Sequence, residues 1–414
     1  MLLRLLKESI LLSVDSLVNN KLRTILSLLG ITIGIFAIIS VFTVIDSLRY
    51  SIKDSIQSLG DNVVYVQKWP WEFGRDFPWW KYMSRPQPKI DELEMIKRKS
   101  ANASVATFLA STSKTASYMN NVADNTAVLA VTEEYPSLRG FDIERGRFIS
   151  SFEFSGGRPV VVIGHELSKL LFEKANPVGK NIKLDGRKMK VIGVFAKEGE
   201  NMFFGSVDYQ TVVPALYMSK YYDLETDEMN PLIMVKAKTG IDNEELIGEL
   251  NSIMRAYRRI RPQDEDNFAL NQSSMLTQGF DQLFSVIDIA GMVIGGFSIL
   301  VGGFGIANIM FVSVKERTKL IGIQKSLGAK NYLILTQFLT ESVVLSLMGG
   351  IAGLLLIFIG TLFINYISDM TFALTAGNII SGITISIVIG IVSGFAPALS
   401  ASRLDPVVAI NSNF

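Results

Sequence analysis

The chain has 414 residues, of which 49% are hydrophobic and only 19% charged, with a mean hydropathy of +0.32. A soluble domain carries about a quarter charged residues, so this balance is that of a membrane protein with a large wet part. A net charge of +1 gives no global case for nucleic acid. The absence of cysteine removes a disulfide framework, thiolate metal sites and a cysteine nucleophile, while a lone His165 argues against a histidine-built metal centre or a Ser-His-Asp triad.

In residues 1–23, Leu3, Leu6, Ile10, Val14 and Leu17 recur at helical spacing, with Arg4, Lys7, Glu8 and Asp15 among the intervening positions. The pattern predicts an amphipathic helix lying in the membrane interface, or an ordinary surface helix packed on the spans. No small-residue cleavage site follows at the distance a signal peptide requires. The first membrane span is expected over 24–46, its apolar run reaching from Thr24 to Ile45. About 20 apolar residues cross a bilayer core.

Residues 47–282 form a wet insertion long enough for one or two buried cores. A membrane-proximal α+β part is expected from 47–100 and 230–275: strands at Asn62–Gln67, Leu232–Ala237 and Asn267–Asn271, and helices at Ile90–Lys99 and Asp242–Ile260. Asp242 is the expected N-cap of the last, with Glu244 and Glu245 favouring its dipole. The distal part, 101–229, alternates short strands and turns. Strands are expected at Arg158–Gly164, Lys180–Leu184 and Met189–Phe195, the last two joined by the Asp185-Gly186 turn, with a helix over His165–Lys174. His165, at the head of that helix, suits a surface or capping role.

All four tryptophans fall between Trp69 and Trp80. Trp69, Trp71, Phe73, Phe77, Trp79 and Trp80, interleaved with prolines, suit contact with a partner or cargo, contact with lipid headgroups, or a small satellite core packed on the domain.

After a stalk and second span over 283–314 comes a basic loop at 315–332, then spans at 333–367 and 376–402 and a tail at 403–414. Lys21, Arg23, the loop residues Lys315, Arg317, Lys319, Lys325 and Lys330, and Arg403 place these segments and both termini in the cytoplasm. The fold class is therefore an α-helical membrane protein with four transmembrane helices and a large α+β extracytoplasmic domain inserted between the first two. Small residues recur within the spans: Gly30 and Gly34; Gly291, Gly295 and Gly302; Gly349 and Gly353; Gly390 and Gly394. Such ladders pack helices in lipid, either within one bundle or against a second subunit. Glu341 is the one ionisable residue well inside a span, too few for an ion-coupled carrier or a membrane protease.

No Gly-x-x-x-x-Gly-Lys-Ser/Thr loop occurs, so the chain offers no P-loop for a nucleotide. The segment 308–330 (NIMFVSVKERTKLIGIQKSLGAK) resembles the signature of the MacB/FtsX-like permeases of ABC transporters. The resemblance extends to 23–34 (RTILSLLGITIG), Leu59 to Asn62, 176–180 (NPVGK), 191–194 (VIGV) and 403–407 (RLDPV). It implies a bacterial inner-membrane permease without a fused ATPase domain, with no catalytic site, metal or cofactor of its own. Two permease subunits, as a homodimer, would pair with two cytoplasmic ABC ATPase subunits. Glu316, Arg317, Thr318, Leu320, Gly322, Ile323, Gly328 and Ala329 would form the coupling helix and its exit, an apolar stripe of Leu320, Ile323 and Leu327 docking in the motor. The family has an acid where Leu320 stands, and no clear counterpart of the tryptophan run. ATP-driven closure of the motors would move the stalks, so that work is done outside the membrane by mechanotransmission. MacB-like efflux through a periplasmic adaptor and an outer-membrane channel is the first expectation; lipoprotein release and FtsX-like signalling to cell-wall hydrolases are the alternatives. Membrane lipid is a partner in every case, and nucleic acid in none.

Overall fold

The computed structural model describes residues 21–57, 59–60, 62–72, 77–199, 206–367 and 372–411, the side chains of 21–27 and 411 excepted. The amphipathic segment expected at the start, up to residue 20, and Phe73 of the aromatic run lie outside the described residues.

In chain order the first elements are helix α1 (Lys21–Gln57), strand β1 (Val63–Gln67), helices α2 (Trp79–Met83) and α3 (Ile90–Lys99), and strands β2 (Ala103–Tyr118) and β3 (Asn121–Val131). Then come α4 (Tyr135–Leu138), β4 (Ile143–Gly146), α5 (Ser151–Ser155), β5 (Val160–Ile163), α6 (His165–Phe172), β6 (Asn181–Leu184) and β7 (Arg187–Phe195). The wet part closes with β8 (Gln210–Pro214), α7 (Ala215–Met218), β9 (Leu232–Ala237), α8 (Asn243–Tyr257) and β10 (Ala269–Gln272). The rest is helical: α9 (Ser273–Glu316), α10 (Thr318–Ser326), α11 (Asn331–Ile367), α12 (Ala376–Ser402) and α13 (Pro406–Asn411). Two compact units result, one of Ser51–Gln282 and one of Met1–Tyr50 with Leu283–Phe414.

In the first unit the strands form one mixed sheet ordered β10-β1-β9-β2-β3-β8-β5-β7-β4, with β6 pairing both β2 and β7. The stretches expected as separate proximal and distal parts share this sheet. The reason is β2: its start pairs with β9 from Ala103 to Leu109, and its later part pairs with β3 and β6. The runs at Val63–Val66 and Val160–Ile163 are buried at every position, as strands covered on both faces require. Leu93 and Ile96 of α3 and Leu246 and Leu250 of α8 pack into a core with Val64, Phe108 and Ile233. The two helices are tied by a buried pair, Arg258 Nε donating to Glu92 Oε1 at 2.7 Å. Asp242 stands at the N-cap position of α8, but its side chain makes no capping hydrogen bond. Asp185 and Gly186 have φ of 47° and 76°, the left-handed pair of a type I′ turn, and set the β6–β7 register. His165 Nδ1 lies 2.6 Å from the Glu144 carboxylate at the head of α6.

Among the described helices, α1, α9, α11 and α12 are long and apolar enough to cross a membrane. The 44 residues of α9 extend about 66 Å at 1.5 Å per residue, well beyond the roughly 30 Å of a hydrocarbon core. Ile31, Ile35, Ile39, Ile306, Met310, Phe338, Leu345 and Ile389 form the bundle core. Close approach is set by the small residues. A Cβ at Gly34 would stand 3.1 Å from the Ser298 carbonyl oxygen, one at Gly353 3.1 Å from that of Thr32, and one at Gly390 2.7 Å from Val343 Cα. Gly291, Gly295 and Gly302 likewise face α1, Gly349 faces Ile31 and Gly394 faces Ser342, so these ladders pack within the chain. Gly30 is the exception, with nothing within 4 Å of its added Cβ. Hydroxyls complete the seams: Thr32 donates to the Gly349 carbonyl, Ser342 to that of Gly390 and Ser346 to that of Ser386.

Candidate functional site

The junction of α9, α10, α11, α12 and α13 gathers most of the residues singled out in the basic loop. Helix α9 ends at Glu316, which is exposed, and Thr318 donates back to the Val314 carbonyl at 3.0 Å. Between them Arg317 turns inward. Its Nη1 lies 3.3 Å from Glu341 Oε2, whose side chain is buried within α11 at 7% exposure.

Three further contacts seat α10. Ile321 is buried in the bundle core with Ile334 and Phe338. Lys325 Nζ donates to the carbonyls of Ser402 at 2.9 Å and Leu404 at 2.6 Å, which satisfies orphan acceptors at the C-terminus of α12 and sets a cation against its dipole. Gly322 meets α13: an added Cβ would stand 2.9 Å from Ala409 Cβ and 3.1 Å from the Ile410 backbone nitrogen. Gly322, expected among the coupling-helix residues beside the apolar stripe, thus faces an internal seam with α13. The exit is a left-handed Gly328 at φ 96°, with Ala329 N–H donating back to the Gln324 carbonyl at 3.0 Å.

Sequence reasoning missed α13, which it treated as a tail. The signal was present: Asp405 Oδ1 accepts from Val407 N–H at 2.8 Å and Pro406 opens the helix, the usual cap and first-turn pair. With α13 in place, the outward apolar surface grows. Leu320, Ile323 and Leu327 of the basic segment stand exposed, as do Val407 and Val408. Lys319, Lys330 and Arg403 are exposed as well. Among the described residues no group of acids or histidines could hold a metal ion. The arrangement is an exposed apolar face with anchors behind it.

The aromatic run divides in two. Trp71 packs on Tyr65 with ring centroids 4.9 Å apart, and its backbone N–H donates to Asn271 Oδ1 at 2.9 Å. Trp69 and Phe77 pack on Tyr82, whose other neighbour is the Arg85 guanidinium at 4.5 Å. Trp79 and Trp80 stand edge to face on α2, with exposures of 54% and 64%.

Residues 24–253 match the family described as MacB-like periplasmic core domain, and residues 292–406 the one described as FtsX-like permease C-terminal. Among curated proteins the chain is 32% identical over 410 residues to the macrolide export ATP-binding/permease protein MacB of Neisseria gonorrhoeae, covering 97% of this chain and 60% of that one. The chain thus spans about 60% of the length of the MacB relatives it matches. It is 31% identical to the uncharacterized ABC transporter permease YvrN and 29% to YknZ, both of Bacillus subtilis, each covered over 99% of its length. Among solved structures it is similar to the periplasmic region of MacB from Actinobacillus actinomycetemcomitans, with a TM-score of 0.45, 17% identity, and coverage of 56% of this chain and 97% of that one.

Proposed function

Because the chain belongs to the MacB-like, FtsX-like family of ABC transporter permeases, we propose that it carries movement from a cytoplasmic ATPase to a domain outside the membrane. The observation that carries this reading is the junction just described. A short helix presents Leu320, Ile323 and Leu327 outward, beside Val407 and Val408, while its inner side is fixed to three of the four spans. An apolar face on rigid anchors is what a mechanical input needs: it binds a partner, and it cannot yield without moving the helices behind it.

In this reading ATP hydrolysis is the work of a separate subunit, present in two copies beside a permease homodimer. The relatives matched over 99% of their length are themselves named as permeases alone. Both termini and the 315–332 segment lie in the cytoplasm, and Ser51–Gln282 lies outside. The MacB relatives are named for macrolide export, which favours efflux as the task, with an adaptor and an outer channel as further partners. The exposed pair Trp79 and Trp80 suits contact with partner or cargo; Trp69, Trp71 and Phe77 hold the base of that loop.

Single cysteines introduced into this cysteine-free chain test the arrangement. In intact cells, Asp185→Cys should react with an impermeant thiol reagent and Leu320→Cys should not. The opposite pattern would overturn the reading.

A further inference from the structure

Within α11, Glu341 is the only charged residue between Asn331 and Ile367. It sits about 15 Å along the helix from its start, at 1.5 Å per residue over ten residues. A carboxylate so placed is costly unless paired. Nearby hydroxyls do not serve it: Thr340 donates to the Thr336 carbonyl, and Ser342 to those of Leu339 and Gly390. Its partner is Arg317, the residue that opens α10. Of the other anchors of α10, Lys325 reaches the end of α12 and Gly322 meets α13, while Ile321 shares an apolar core with Ile334 and Phe338 of α11. Among the described residues Arg317 thus supplies the side-chain polar tie between α10 and α11, and at 24% exposure it is set apart from the exposed Leu320, Ile323 and Leu327.

We infer that Glu341 is a positioning residue, which through Arg317 makes α11 follow α10 when a motor moves it. Without this tie, α10 would hold α11 only through the non-directional apolar packing of Ile321 and the short Gly328–Lys330 exit, which can slip and bend as α10 tilts. With it, the tilt enters α11 three turns along and passes to α12 at the next residue, through the Ser342–Gly390 and Ser346–Ser386 hydrogen bonds. The inference rests on the reading of α10 as the motor-docking helix.

A structural role and a positioning role separate in one comparison. Replacing both members of a buried pair by apolar groups is often neutral for stability, whereas removing one strands the other. The double variant Arg317→Met with Glu341→Met should therefore insert, remain folded and retain the ATP-hydrolysing subunit that copurifies with the wild type. Its permease-dependent ATP turnover should nevertheless fall by roughly two- to thirty-fold, the range in which residues along a coupling route act. Arg317→Lys, which keeps the charge, should retain more turnover than Arg317→Met. Spin labels at Lys319→Cys and Ile351→Cys report the tie directly: one narrow distance in both nucleotide states with the pair intact, and a broadened, nucleotide-dependent one in the double variant. Wild-type turnover and an unchanged distance in a folded double variant would overturn the inference. A wild-type chain that engages no ATP-hydrolysing partner would instead overturn the functional reading, and this inference with it; that outcome is read without any variant.

Discussion

The contact between Gly322 and α13 gives the sharpest test of how the junction is built. An alanine at 322 would place its Cβ 2.9 Å from Ala409 Cβ, 3.0 Å from Ile410 Cγ1 and 3.1 Å from the Ile410 backbone nitrogen. Carbon atoms rest at about 3.5–4.0 Å, and two of these three neighbours are backbone or a methyl fixed to it. Rotating a side chain away cannot relieve the clash, so α13 must shift. Overpacking of this kind costs about 1–3 kcal/mol. Helix α13 is short, and Ala409 is its buried anchor at 1% exposure. The strain should therefore appear as undocking, which raises the open population by roughly five- to 150-fold. The assay is the rate at which a thiol reagent modifies Ala409→Cys, introduced into a chain with no other cysteine. Labelling should be slow with Gly322, faster by that factor with Gly322→Ala, and faster still with Gly322→Leu. Equal rates in all three would refute the assignment of Gly322 to the α10–α13 seam.

Other consequences follow from the same geometry. Gly390→Leu drives a side chain into Val343 Cα and the Ser342 carbonyl, and should abolish a stable α11–α12 pair, whereas Gly30→Ala meets nothing within 4 Å and should leave the thermal stability of the purified protein unchanged. Ile323→Asp with Val407→Asp should weaken motor copurification by at least about ten-fold, since charge is placed on an apolar docking face whose central residues contribute about 1–2 kcal/mol or more each. In the wet domain, the Arg147 hydrogen bonds hold the Glu153 carboxyl down from 4.5 to about 2, aided by Ser150. A depressed carboxylate stabilises the fold above its unfolded value, so this contribution is complete above about pH 4.5 and is lost as pH falls toward 2. Tryptophan fluorescence reports it, because Trp69, Trp71, Trp79 and Trp80 all lie in Ser51–Gln282; Glu153→Gln should flatten the acid limb.

The four long apolar helices were legible because charge-free runs of that length have few other solutions, and the helices at Ile90–Lys99 and His165–Phe172 because their apolar spacing and ends are local features. Strand pairing was not legible. Nothing in Ala103–Tyr118 announces that one long strand joins regions read as separate, since pairing is set by partners distant in sequence. Periodicity put Leu320, Ile323 and Leu327 on one face, but it could not say that Gly322, adjacent to that stripe, would be closed by residues nearly ninety positions later in the chain. The same limit applied to the aromatic run. Trp71 is held by Asn271 and Tyr65, contacts that no local pattern encodes, while Trp79 and Trp80 stay exposed on a short helix.

In the proposed function the exposed α10 and α13 surface receives a nucleotide-hydrolysing subunit. A photo-crosslinking residue placed at Ile323 in the full-length chain, in intact cells, tests it most directly. It should capture an ATP-binding subunit, with a yield that falls when Val407→Asp is added. The same residue placed at Trp80 should capture none of that subunit. Capture from Trp80 instead, or an Ile323 probe that yields only lipid adducts, would contradict the account.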